Sequence, residues 1–232
     1  MARYFFEFNN ETSASHEIHV QSRQDVPGKE RKITYTEVGG RDETISDRNT
    51  FYENTEISLE CAYRVDPADW NRKRRAIGKW LSGTGELTFS DDPEVYWKVK
   101  DIRISKFERP LRKHATFTVK FICSPFEYIA EGKEFRPPKD VYFNPYGLSH
   151  PEYKITGEGI CTLTVNGKTM KANIGQNLTI NTDLMLAYRE DGNIMNTSVT
   201  GDYEDLYLKP GENSISVSSG FSLTVKPNWR CI

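Results

Sequence analysis

Residues 66–89 read DPADWNRKRRAIGKWLSGTGELTF, a helix punctuated at both ends and followed at once by a strand. Asp66-Pro67 opens it, with a carboxylate suited to capping free amides and then a residue whose φ is already helical. Trp70, Ala76-Ile77, Trp80 and Leu81 fall at spacings that gather apolar side chains on one face. Arg72, Lys73, Arg74 and Arg75 are left for the flanks, and Gly83-Thr84-Gly85 supplies the positive φ of a C-terminal stop. Glu86–Phe89 reads as a strand, Ser90-Asp91-Asp92-Pro93 as a tight turn, and Val95–Ser105 as the returning strand with a phase slip at Asp101. The expected anchor is a short helix fixed by tryptophans to an antiparallel sheet.

Upstream of this anchor, Tyr4–Phe8, His16–Gln21, Ile33–Val38 and Phe51–Tyr63 have β character, the last with Ile57, Leu59 and Cys61 alternating. Gln24–Lys32 reads as a loop, and Gly39–Thr44 as a polar turn running into a loop as far as Asn49. No helix N-terminus follows the Gly39-Gly40 pair, so a structural turn accounts for it better than a phosphate cradle. Downstream, Phe107–Leu111 reads as a turn. Ala115, Phe117, Val119, Phe121 and Cys123 then alternate with polar partners in a strand ending at Ser124-Pro125-Phe126.

The order of these motifs resembles the N-terminal half of phage distal tail proteins, the Dit family of siphophage tails. The residues that carry the likeness are Gly40-Arg41-Asp42 after a strand, a helix ending in Trp80-Leu81, and Leu87-Thr88-Phe89. Asp91-Asp92-Pro93, Tyr96 and the run Phe117-Val119-Phe121-Cys123-Ser124-Pro125 complete the set. Glu43 stands where a second glycine often follows the Arg-Asp pair.

A composition shift marks residues 131–151, where Pro137-Pro138, Pro145-Tyr146-Gly147 and Pro151 interrupt regular structure. Beyond it, short strands and turns alternate as in a β-sandwich. Ile160–Val165, Gln176–Ile180, Leu184–Arg189, Asp205–Leu208, Ser214–Val217 and Phe221–Trp229 read as strands. Asn166-Gly167 reads as a two-residue hairpin turn into Lys168–Met170, and Asp191–Asn193 and Lys209–Asn213 as further turns. The expected class is mainly β, with an N-terminal β-sandwich belt domain carrying one α-helix (1–130), a linker (131–151) and a second β-sandwich (152–232). The resemblance implies that the second sandwich is galectin-like.

Lys and Arg number 31 against 33 Asp and Glu, and residues 1–130 hold 21 of each sign, so neither half is the polycation that a dedicated DNA-binding domain needs. Cys61, Cys123, Cys161 and Cys231 are widely spaced with no C-x-x-C pair, which points to unpaired thiols in a reducing cytoplasm rather than a zinc site. The N-terminus lacks the apolar core of a signal peptide, and no apolar run is long enough to span a bilayer, so a soluble protein is expected.

Chemistry finds little footing. His16, His19, His114 and His150 are scattered, and no nucleophile elbow, zincin or P-loop motif occurs. Asp91-Asp92 before Pro93 suits a turn, and Asp202, Glu204 and Asp205 form an acidic cluster beside Tyr203 and Tyr207 that suits a solvated loop better than a hydrolase dyad or a calcium site. Tyr188, Tyr203, Tyr207, Phe221 and Trp229 are candidates for stacking on sugar rings, Trp229 foremost, although packing explains most of them.

No catalytic residue, cofactor or metal is therefore expected. The resemblance implies a virion protein that forms a hexameric ring, single or back to back. That ring would join the major tail tube protein to tail-tip or baseplate proteins while the tape measure protein and then DNA pass through its lumen. Assembly in the host cytoplasm, no membrane contact, and a subunit interface using Arg72 and Arg75 complete this expectation. A carbohydrate-binding module contacting cell-wall glycans is the alternative, and a small hydrolase using the acidic cluster the third.

Overall fold

The computed structural model describes residues 4–22, 28–29, 31–36, 39–40, 42–43, 45–139 and 141–231. The chain is mainly β and divides into two compact units, residues 1–127 and 128–231.

In the first unit the strands are β1 (Phe6–Phe8), β2 (Glu11–Thr12), β3 (Ile18–Val20), β4 (Arg31–Thr36), β5 (Ile45–Tyr52) and β6 (Thr55–Arg64). The helix α1 (Trp70–Trp80) comes next, then β7 (Gly85–Phe89), β8 (Asp92–Ile104), β9 (Glu108–Leu111) and β10 (His114–Ile129). The main sheet runs β2-β1-β7-β8-β10-β6-β3 with β9 added on β10, and β4 pairs with β5. β6 and β10 run antiparallel over ten paired positions from His114↔Arg64 to Cys123↔Thr55. Strict alternation on both strands therefore turns Ile57, Leu59, Cys61 and Tyr63, with Ala115, Phe117, Val119, Phe121 and Cys123, into one buried face.

Helix α1 starts at Trp70, four residues after the expected Asp66. Asp69 occupies the cap position without a side-chain hydrogen bond, and Asp66 instead accepts the Asp69 backbone N–H (2.9 Å) in the preceding turn. Leu81 closes the helix, its N–H reaching the Ile77 carbonyl (2.8 Å), and Gly83 follows at φ 83°. Ile77 and Leu81 are buried, and Trp70 and Trp80 pack half-buried on the core. Ala76, by contrast, is exposed. The stripe runs through positions 73 and 74 instead, since 70, 73/74, 77 and 80/81 share a helix face. Their long side chains lay stems along it, Lys73 reaching Glu17 at 2.8 Å and Arg74 lying 5.9 Å from the Trp70 ring.

Several boundaries differ from the sequence reading, beginning with Phe51–Tyr63, which is divided between β5 and β6 at Glu53-Asn54. The loop assigned as far as Asn49 is strand from Ile45 onward, held by its ladder to β4. The turn at Phe107–Leu111 is mostly β9, a fully exposed edge strand joined to β10 at Glu108↔Thr116 and Leu111↔His114, where Pro110 forfeits no ladder bond. β10 continues through Ser124-Pro125 to Ile129; its pairing to β6 has ended at Cys123, so the missing proline N–H costs nothing on that side. Pro93 likewise sits in an irregularity, because Phe89 pairs with Asp92 while Thr88 pairs with Tyr96, leaving residues 93–95 bulged out of the ladder.

The second unit contains β11 (Tyr142–Asn144), β12 (Glu152–Val165), β13 (Lys168–Asn181), β14 (Leu186–Tyr188), β15 (Val199–Thr200), β16 (Gly211–Asn213), β17 (Ile215–Val217), β18 (Ser222–Lys226) and β19 (Arg230–Cys231). Its main sheet is β14-β13-β12-β17, with β18 on β12 and β15 on β13; β11 pairs with β16. β12 and β13 form a long hairpin from Glu152↔Asn181 to Val165↔Lys168. Asn166 (φ 50°) and Gly167 (φ 78°) turn it with both residues left-handed, the geometry that a two-residue loop needs to match strand twist.

Asp205-Leu206 lies in a short 3₁₀ turn (Tyr203–Leu206), not a strand, and the expected turn 209–213 is largely β16. Residues 131–151 carry structure of their own: a 3₁₀ turn (Ala130–Lys133), β11, and Tyr142 and Tyr146 packed on the second core. Buried amides hold this stretch, Asn144 donating to the carbonyls of Gly147 (2.9 Å) and Leu208 (3.3 Å).

No disulfide joins the cysteines among the described residues, and burial pushes the Cys61 and Cys123 thiols up to about 12. The unfolded thiol ionises near 8.5, so the unfolded chain loses protons first and stability falls as pH rises from there toward 12. Burial raises Tyr63 and Tyr153 in the same sense. Denaturation midpoints measured between pH 7 and 11 are expected to decline, and alkylation at neutral pH to modify half-buried Cys231 well before Cys61, Cys123 or Cys161. Flat midpoints, or rapid alkylation of Cys61 in the folded protein, contradict this burial.

Candidate assembly surface

Helix α1 begins at Trp70, so its unsatisfied amide end opens onto the surface there, with no acidic residue in its first turn. An open groove of about 540 Å³ lies beside it, lined by Trp70, Asn71, Arg74, Ile104, Ser105, Lys106 and Phe107. The Arg109 guanidinium stands 5.0 Å from the Trp70 ring and that of Arg74 stands 5.9 Å from it. The indole Nε1–H is shielded from water without an acceptor, and so is the hydroxyl of Tyr63, whose ring packs edge-on to Phe107. Burial raises the Tyr63 hydroxyl, while the nearby charges of Arg74 and Arg109 pull it down.

Four of the neighbouring cations have carboxylates: Arg72 with Asp69 (3.1 Å), Lys73 with Glu17 (2.8 Å), Lys106 with Glu108 (2.9 Å) and Lys113 with Asp66 (3.1 Å). Arg74, Arg75, Arg109 and Arg112 have none among the described residues. This face of the first unit is therefore basic, although the chain as a whole carries a net charge of −2. Of the two arginines expected at an interface, Arg75 is exposed and Arg72 is exposed but spent in part on Asp69. Sequence reasoning missed Trp70, Arg74 and Arg109 as a group, because Arg109 arrives from β9, which no periodicity announces.

The residues that carried the family resemblance scatter over the first unit. Gly40 (φ 87°) and Asp42 are exposed, and Arg41 lies outside the described residues. Trp80 is sandwiched between His16 (4.0 Å) and Phe6 (5.5 Å) and donates to the Phe8 carbonyl (3.4 Å), while Leu81 is buried. Asp91, Asp92 and Pro93 are exposed at the β7–β8 turn. That turn is tied to the N-terminal segment through Ser90, whose N–H donates to the Phe5 carbonyl and whose Oγ accepts from the Phe5 N–H, both at 3.0 Å.

In the second unit the candidate sugar platform is taken up by packing. Trp229 is only 6% exposed and belongs to the core. Gly132 is obligatory beneath it, since a Cβ there would stand 2.7 Å from the Trp229 backbone nitrogen. Phe221 and Tyr203 pack on the same core, Tyr188 reaches Glu152 at 3.4 Å, and Tyr207 stacks on His150 at 4.0 Å. His150 is fully engaged: Arg230 can only donate, so Nε2 accepts from it (2.8 Å) and Nδ1–H faces Asp183 (3.0 Å). The acidic cluster forms the 3₁₀ turn whose buried Leu206 carbonyl accepts the Tyr153 hydroxyl (2.7 Å), and Asp205 lies 3.7 Å from Lys168. Among the described residues no group of three or more His, Cys, Asp or Glu could hold a metal ion. None of their helices is long and apolar enough to cross a membrane.

No family model and no curated protein matches the chain. Among solved structures it is similar to the Dit protein of phage SPP1, described as a paradigm of the hub adsorption apparatus in phages infecting Gram-positive bacteria. The TM-score is 0.64 and the identity 14%, over 97% of this chain and 98% of that one. The likeness runs end to end through both units, and it establishes that this chain has the fold of a phage distal tail protein.

Proposed function

We infer that the protein is a structural component of a phage tail, the distal adaptor between tail tube and tail tip. The single observation that carries this reading is the end-to-end likeness to a hub protein of an adsorption apparatus. The first unit acts as a belt that assembles into a hexameric ring, single or stacked back to back, and the second is a galectin-like sandwich. The ring joins the tail tube protein to baseplate or tip proteins, and the tape measure protein and then DNA traverse its lumen. Assembly takes place in the host cytoplasm without a membrane, and the role is mechanical, with no cofactor and no catalysis. Exposed edge strands such as β9 suit repeated subunit pairing.

Light scattering across a concentration series, with negative-stain imaging of the same sample, tests this directly. Six-fold rings are the expected result, and a monomer that stays single even with tube and tip proteins added overturns it. Arg72 and Arg75 belong to the ring contact in this reading, so reversing both to glutamate is expected to weaken assembly and blunt its salt dependence. Unchanged rings with unchanged salt response would remove those two residues from the interface.

A further inference from the structure

The basic groove beside Trp70 has a counterpart on the same unit. At the other end of β8, the β7–β8 turn presents Asp92 and Glu94, exposed and without a cation partner among the described residues, with exposed Pro93 between them. β8 begins at Asp92 and ends at Ile104 in the groove wall, so the two sites are separated by roughly 35–40 Å of strand. The acidic turn is ordered before any contact, by the paired bonds of Ser90 to Phe5. The groove is equally prepared, with Arg74 and Arg109 bracketing Trp70 and buried Tyr63, 1% exposed, holding an unpartnered hydroxyl behind them.

One subunit thus carries both halves of a charge-complementary contact, on opposite ends of a single strand. Two different patches on one chain can meet head to tail between copies, and such a heterologous contact closes into a ring when its rotation allows. We propose that the Trp70 groove receives the Asp92 and Glu94 carboxylates of the next copy, and that this contact closes the ring. The inference rests on the ring reading above and names its occupant, a second copy of this chain. Carboxylates entering the groove meet Arg74 and Arg109, which have no carboxylate of their own, and the open end of α1.

Two charge-reversed proteins test it, R74E/R109E and D92K/E94K, with circular dichroism confirming that each remains folded and R74Q/R109Q as a milder version of the first. Under conditions where the unaltered protein forms rings, each reversed protein alone is expected to associate roughly thirtyfold more weakly or worse. Mixed in equal amounts they restore both contacts, acidic groove to basic turn and acidic turn to basic groove, so rings of even number reappear with alternating subunits. Rings formed as readily by R74E/R109E alone, or no recovery on mixing, overturn this contact while leaving the ring itself standing. Absence of rings from the unaltered protein, with tail partners supplied, overturns the ring reading and this contact with it.

Discussion

Replacing Phe6 by alanine is expected to destabilise the first unit by about 3–5 kcal/mol, the usual range for a fully buried aromatic. Phe6 is completely buried on β1, stacks on Trp80 at 5.5 Å and meets Phe121 edge-on at 5.6 Å. The cavity would open where α1, β1 and β10 meet, and Trp80 would keep only its His16 face. Close packing leaves little freedom to refill that space. Chemical denaturation followed by tryptophan fluorescence measures the loss, with Phe143→Ala as the control; Phe143 is 62% exposed, so its truncation should shift stability by less than about 0.5 kcal/mol. A Phe6→Ala loss below about 1 kcal/mol would mean that Phe6 does not join these elements.

The second large effect is expected at Asn213, a residue with 1% exposure. Its Nδ2 donates to the carbonyls of Lys209 (2.8 Å), Gly211 (3.0 Å) and Tyr142 (3.3 Å), and its Oδ1 accepts from the Lys209 N–H (2.9 Å) and the Asn166 Nδ2 (2.8 Å). Each buried group left unsatisfied costs about 1–3 kcal/mol, so Asn213→Ala should lose roughly 3 kcal/mol or more. Asn213→Asp is the sharper probe. It preserves shape but sets a carboxylate oxygen against carbonyls, which raises its folded pKa above the unfolded value near 3.9. The folded state then binds the proton more tightly, so the deficit is largest at neutral pH and shrinks as pH falls through the raised pKa. An aspartate variant as stable as the parent at pH 7 would contradict this hydrogen-bond assignment.

Alternation made much of the fold legible. The faces of β6 and β10, and the Asn166-Gly167 hairpin, follow from residue order because strand period and left-handed turn geometry are local properties. The helix was legible in place but not in its start, since Asp66 and Asp69 offer the same capping chemistry and the turn between them puts Asp69 at the cap position without engaging either carboxylate there. The polar strand β5 and the edge strand β9 carry no apolar signal; their ladders hold them, and a ladder depends on a partner distant in sequence.

Trp229 shows the limit most plainly. Its aromatic character invited a sugar-stacking role, and only its burial in the second core, hard against Gly132 from a distant part of the sequence, reveals it as core. Local order by itself determined the β class, the single helix and the resemblance in motif order. Tertiary structure alone decided which aromatics are buried, that Asp66 takes up Lys113, and that Arg109 comes to stand over the Trp70 ring. Those outcomes depend on contacts among β8, β9 and α1 and the turns that flank them, segments whose meeting is set by packing and charge in three dimensions and not by their spacing along the chain.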